Sequence, residues 1–160
     1  MGAKAKSIIL LVCCILLCQI VGISSAALSN VSDRSWFYEL NKPTWNPPGY
    51  LFAPVWTVLY LLMGISLWLI LRATAVQKQK INALILFSVQ LFLNFLWSIL
   101  FFRFQLIVVA FADIILLDFL VIATMLSFYN IKKLAAWLLL PYLLWIVFAS
   151  NLNYTIWVLN

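Results

Sequence analysis

Five long apolar runs separated by short polar stretches set the layout of this chain. They occupy residues 8–27, 54–71, 81–102, 106–128 and 134–159. A helix rises about 1.5 Å per residue, so each run is close to the length needed to cross a hydrocarbon core about 30 Å thick. The pattern predicts an all-α fold, an integral membrane bundle of five transmembrane helices that forms a single domain over residues 1–160. Residues 28–52 make the longest interruption and read as a loop carrying Asp33, Arg34, Glu39 and Lys42 among aromatics. Proline fixes φ and pushes its predecessor towards extended geometry, so Pro43, Pro47 and Pro48 predict a rigid non-helical strap over residues 42–49. Pro54 then suits the first turn of the second helix.

Composition excludes the soluble alternative. Of 160 residues 67% are hydrophobic and 9% charged, and the mean hydropathy is +1.12, too apolar for a soluble globule of this size. The first run follows Lys4 and Lys6 and reaches Ser24-Ser25-Ala26, which resembles a signal peptide. It is longer than a usual secretory core and four more spans follow it, so it is expected to be a retained helix. The net charge of +6 reads as topology rather than nucleic-acid binding, because the basic residues are scattered between the apolar runs. Lys4, Lys6, Arg72, Lys78, Lys80, Lys132 and Lys133 fall on the side of the first residue, against Arg34, Lys42 and Arg103 opposite. This asymmetry predicts a cytoplasmic N-terminus if the membrane is a bacterial plasma membrane.

Candidate chemistry is sparse. The chain has no His, and Cys13, Cys14 and Cys18 share one predicted helix, so neither a zinc cluster, nor imidazole ligation of haem, nor a disulfide framework is expected. No nucleophile, base and orienter stand together, which leaves enzymatic activity an open question. Helical spacing puts Trp56, Tyr60 and Gly64 on one face of the second helix, and Asn94, Trp97 and Ser98 on one face of the third. Trp145, Phe148 and Ala149 align on the fifth. Trp56, Trp97, Phe148 and Ala149 fall in the half of the bilayer nearest the first loop, where they can line one pocket; helix packing is the competing reading. Asn94 needs a partner within the hydrocarbon, either another helix or a ligand. Asp113 and Asp118 are costly facing lipid, so each is expected to face the bundle interior or an oligomer interface. Trp68, Trp137 and Trp157, at predicted helix ends, fit the interfacial aromatic belt.

The run WFYELNKPTWNPPGYLFAPVWTVLYLLMG over residues 36–64, with LNFLWS at 93–98 and AWLLLPYLLWIVFASNLNYTIW at 136–157, resembles the tryptophan-rich sensory protein family, also called the TspO or peripheral benzodiazepine receptor family. The matches run in order over most of the chain. The resemblance implies a five-helix bundle, commonly dimeric, with a hydrophobic pocket closed by the first loop. The implied function is a membrane-embedded binding protein for porphyrins such as protoporphyrin and similar hydrophobic ligands, a sensor of tetrapyrrole and stress metabolism; a translocator or a light-dependent porphyrin-degrading enzyme are its alternatives. Carried over by motif, Trp56, Tyr60, Asn94, Trp97, Trp145, Phe148 and Ala149 would bind ligand, with Trp56 and Trp145 reactive if porphyrin is degraded. Arg34, Trp36, Phe37, Trp45, Pro47 and Pro48 would form the lid. No cofactor or metal is implied beyond porphyrin as ligand; the partners are a hydrophobic small molecule, membrane lipid and a second copy, and no nucleic acid. Localisation would be a bacterial inner membrane, or the mitochondrial outer membrane in a eukaryote. Two departures bear on this: Phe37 stands where a tyrosine is frequent, and Ala83, Phe87 and Leu91 do not repeat the small-residue spacing of a close dimer face.

Overall fold

A computed structural model describes residues 2–29 and 35–160. The first span is α1, Ala3–Leu28. A short α2, Ser35–Glu39, sits in the first loop and is followed by the extended strap and a single 3-10 turn, Gly49–Leu51. The remaining spans are α3, Phe52–Arg72; α4, Gln77–Ser98, continued by a wider π-helical turn, Ile99–Arg103; α5, Ile107–Ile131; and α6, Lys133–Leu138, with α7, Leu140–Leu159. Among the described residues, five helical stretches are long and apolar enough to cross a membrane, the fifth made of α6 and α7 together.

Three differences from the sequence expectation have local causes. The fifth span is not one helix: it breaks at Leu139, two residues before Pro141, whose ring cannot accept the geometry of a continuing helix and which offers no N–H. The third span ends in the π turn, which the apolar pattern does not signal, and Gln105 turns the chain at φ 57, a left-handed geometry, so that Leu106 can start α5. The first loop, finally, contains the helical turn α2.

The chain uses its few cations to close helix ends. Backbone carbonyls at a C-terminus have no intrahelical donor and carry the negative end of the helix dipole. Lys42 Nζ donates to the carbonyls of Phe37 at 2.5 Å, Tyr38 at 3.2 Å and Leu40 at 3.1 Å. Lys80 Nζ does the same for Leu71 and Ala73, and Arg103 Nη1 donates to Leu28 O at 2.9 Å, closing α1.

Lipid provides no hydrophobic drive between helices, so close approach and polar ties must supply the association. Gly64 of α3 faces the backbone of α1 so closely that a Cβ there would lie 2.6 Å from Ile15 Cα. A Cβ at Gly22 of α1 would collide with the Tyr60 ring. Gln19 Nε2 donates to Thr57 O, Ser25 Oγ to Phe95 O, Ser66 Oγ to Ala135 O and Tyr142 OH to Gln90 Oε1, tying α1 to α3, α1 to α4, α3 to α6 and α7 to α4. Ala83, Phe87 and Leu91 are buried inside the bundle, with Phe87 stacked on Phe128 at 5.8 Å, so this face of α4 packs against α5.

The Gly64 contact yields a test. Because the opposing atoms are backbone and cannot swing aside, Gly64→Ala is expected to destabilise the fold by about 1–3 kcal/mol. Thermal unfolding in detergent reads this directly, and an unchanged midpoint would show that α1 yields without cost.

Candidate functional site

The proline strap and the ends of the spans enclose three neighbouring spaces. The first is a cavity of about 230 Å³ between α1, α3 and the end of α4, with Gln19, Gly22, Ser25, Trp56, Tyr60 and Trp97 among its walls and Phe37 and Phe102 above. Next to it, a narrow crevice of about 30 Å³ runs between Phe37, Phe52, Trp97, Phe101, Phe102, Trp145, Phe148 and Ala149. The third is an open groove of about 910 Å³ formed by the strap from Thr44 to Pro48 with Val55, Leu59, Leu144, Trp145 and Phe148.

The residues singled out from sequence are therefore brought together in two groups. Trp56 and Tyr60 line the cavity with their rings 5.4 Å apart, and Trp56 also meets Tyr142 edge-on. Trp145, Phe148 and Ala149 belong to the crevice, and Trp97 faces both spaces. Trp97 is held by a stack on Phe101 at 5.3 Å and by donating its Nε1 to Asn153 Oδ1 at 3.2 Å. Asn153 in turn donates to Ile107 O, so a short polar chain joins α4, α7 and α5 beside the aromatic wall.

Asn94 stands apart from this wall. It is 4% exposed, accepts a hydrogen bond from Tyr60 OH, and is not among the residues lining the three spaces. Its partner here is another helix, the first of the two alternatives open from sequence. Asp113 and Asp118, half-buried on α5, also lie away from the cavity: Ser150 donates to Asp118 Oδ2 at 2.8 Å, while Asp118 Oδ1 and Asp113 Oδ2 have no protein partner.

The lid residues separate in the same way. Phe37 is buried edge-on against Phe101 and Phe102, and Trp36 meets Phe101 at 5.8 Å. Trp45, half exposed, sits edge-on over Phe148 at 5.7 Å, with Pro47 and Pro48 beside it on the groove. Arg34 lies outside the described residues. Asn41 fastens the far end of the lid: its N–H donates to Asn160 Oδ1 at 2.9 Å, and Asn160 Nδ2 returns a bond to Asn41 O at 3.0 Å. Trp68, half-buried against the core, donates to Ser7 O of α1 with Arg72 over its ring. Among the described residues no His, Cys, Asp or Glu cluster fit to hold a metal ion occurs.

Comparison with known proteins decides the family. The profile of the TspO/MBR family matches residues 14–158. The chain belongs to this family. It is 44% identical over 157 residues to the tryptophan-rich protein TspO of Chlorobaculum tepidum, covering 97% of this chain and 98% of that one. To the protein of the same name from Archaeoglobus fulgidus it is 42% identical, covering 96% and 99%. The translocator protein of Sus scrofa is 37% identical over 123 residues, 76% of this chain and 73% of its own.

Several cavity residues of this TspO/MBR protein carry no signal in the hydrophobic pattern. Gln19, Gly22 and Ser25 sit in an apolar run read only as a span; their polarity and smallness, at a spacing of three, were the available clue. Phe102 reaches the cavity from the π turn, which shifts the register of the third span's last residues.

The Tyr60–Asn94 pair is separable from ligand contact by mutation. Asn94→Ala leaves a buried phenol unpaired and is expected to cost about 1–2 kcal/mol of stability, as is Tyr60→Phe, with the double variant costing less than the sum. Unfolding midpoints of the four proteins test this cycle. Strict additivity would mean that the two side chains do not act as a pair.

Proposed function

We propose that this membrane protein binds a porphyrin or a similar flat, hydrophobic ligand in the aromatic cavity beneath the first loop, and acts as a sensor rather than as an enzyme with acid–base machinery. What supports this is the wall itself: Trp56, Tyr60 and Trp97 offer ring faces and edges, and the polar groups among them are few. Offset and edge-on ring contacts favour a broad π-system over a flexible aliphatic chain. The name tryptophan-rich sensory protein, carried by a relative from Cereibacter sphaeroides 35% identical over 78% of this chain, accords with a sensing role.

The cavity of about 230 Å³ falls below the roughly 300–1,000 Å³ usual for sites holding drug-sized ligands. A macrocycle therefore needs the cavity and the crevice to join. They already share Phe37, Phe52, Trp97 and Phe102, so the displacement required is of aromatic side chains, not of spans. Lys42 is engaged in capping α2, so an anionic edge of the ligand would compete with that cap.

Titration with protoporphyrin in the dark, followed by tryptophan fluorescence, tests the reading. Saturable quenching is expected, weakened about 3- to 10-fold by Trp56→Leu. Trp137→Phe, at an exposed site, should leave the affinity unchanged. Linear, non-saturable quenching indifferent to Trp56→Leu would refute it.

The bundle is further proposed to sit with its first residue and the Arg72, Lys80 and Lys133 end in the cytoplasm of a bacterial cell, with the lid outside. A cysteine placed at Thr44 should then react with an impermeant thiol reagent in intact cells. Labelling only after the cells are opened would reverse the orientation.

A further inference from the structure

The polar atoms on the cavity wall are mostly turned to the protein. Ser25 Oγ donates to Phe95 O at 2.9 Å and Thr57 Oγ1 to Ala53 O at 2.8 Å. Tyr60 OH donates to Asn94 Oδ1, Trp97 Nε1 to Asn153 Oδ1, and Gln19 Nε2 to Thr57 O at 2.9 Å. These donors are thereby spent inside the bundle.

The Gln19 carbonyl is different. Its Oε1 meets no donor among the described residues, and Gln19 is half-buried on the cavity wall. The side-chain atoms that are both buried and unpartnered lie on Asn46, Gln90, Asp113 and Asp118, away from this cavity. Gln19 Oε1 is therefore unpartnered yet accessible. Its amide is also fixed: the Nε2 bond to Thr57 O pins the group across the gap between α1 and α3 and polarises it, which strengthens the carbonyl as an acceptor. Trp56 Nε1 and Ser98 Oγ likewise make no hydrogen bond among the described residues, but Trp56 is held by ring contacts alone, and a serine hydroxyl on a helix can turn to the carbonyl one turn back.

Charge and size narrow the guest further. None of the described residues around the cavity is charged, so a carboxylate inside it would sit unpaired in a low dielectric, at a cost that a neutral hydrogen bond does not offset. An apolar cavity of about 150 Å³ holds a benzene ring, so one of about 230 Å³ accommodates a fused bicycle with its walls in place. Phe37, Trp97 and Phe102, which part the cavity from the crevice, can then stay where they are.

We propose that Gln19 is the specificity-determining residue of this cavity: its Oε1 accepts a hydrogen bond from an N–H on the edge of a neutral aromatic bicycle, an indole-class molecule, lying among Trp56, Tyr60 and Trp97. Ring area holds a flat guest of any kind; among guests of one shape, Gln19 favours the one that donates. The assignment rests on the reading of this cavity as a ligand site and adds the size and chemistry of the guest that the closed cavity takes.

Calorimetric titration of the purified protein in detergent micelles with indole and with benzofuran, each referred to empty micelles, tests it. The two molecules share a shape, and an oxygen in benzofuran replaces the N–H. Wild type is expected to bind indole about 3- to 10-fold more tightly than benzofuran. Gln19→Leu, similar in bulk and without the acceptor, should bring that ratio to within about twofold of unity, and Gln19→Met should do the same. Because both ligands are measured on one preparation, a loss of folded protein does not imitate the change. Equal binding of the two ligands by wild type would overturn the proposal whatever the variants do, and so would a preference for indole that survives in Gln19→Leu and Gln19→Met. If protoporphyrin quenches saturably and neither bicycle binds, the ligand reading stands and this inference falls. If none of the three binds, both fall.

Discussion

The close seating of α1 on α3 is the constraint from which the rest of the site follows. Gly64 lets the backbones meet at Ile15, and Gly22, two turns further on, leaves room for the Tyr60 ring. With no side chain at Gly22, Tyr60 lies flat under α1 and its hydroxyl reaches across to Asn94 on α4. The same approach brings Gln19 and Ser25 to the carbonyls of Thr57 and Phe95. The cavity is the space left where α1 continues past α3 towards the lid, with these residues on its walls.

A bundle in lipid satisfies its polar groups internally or fails to assemble, and this one places several of its interhelical ties beside the aromatic wall. Tyr60–Asn94, Tyr142–Gln90 and Trp97–Asn153 each anchor a ring by its polar end, so that the ring's orientation is set by a neighbouring helix. Trp56 has no such tether among the hydrogen bonds seen here and is held by ring contacts with Tyr60 and Tyr142. The wall therefore contains fixed and adjustable members. Trp145 is held by ring contacts as well, edge-on to Phe52 and tilted against Phe148.

How much of this the sequence discloses depends on whether a property is periodic. The five spans are legible because apolar length is a direct consequence of bilayer thickness, and the strap is legible because prolines at 43, 47 and 48 deny it a continuing helix. Trp56 with Tyr60, and Trp145 with Phe148 and Ala149, are grouped correctly by helical spacing. What spacing cannot give is depth across helices: it places Asn94 on the face of Trp97, whereas the closeness of α1 draws Tyr60 between Asn94 and the cavity. Nor does periodicity survive the π turn, where one added residue per turn carries Phe102 onto the cavity wall, or the break at Leu139.

The same physics explains why the closed cavity is small. Aromatic rings at a helix junction pack closely: Phe37, Phe101 and Phe102 meet one another edge to face, as do Trp36 with Phe101 and Trp97 with Phe102, while Trp97 stacks on Phe101. Without a ligand, these contacts replace the ones a flat guest would make, at similar energy per ring. A guest therefore exchanges one set of ring contacts for another, and its net affinity depends on area it covers that the empty protein leaves bare. In the cavity that area lies on Trp56, Tyr60 and Gln19. On the proposed reading, uncovered ring area more than polarity would therefore set the affinity of a flat guest.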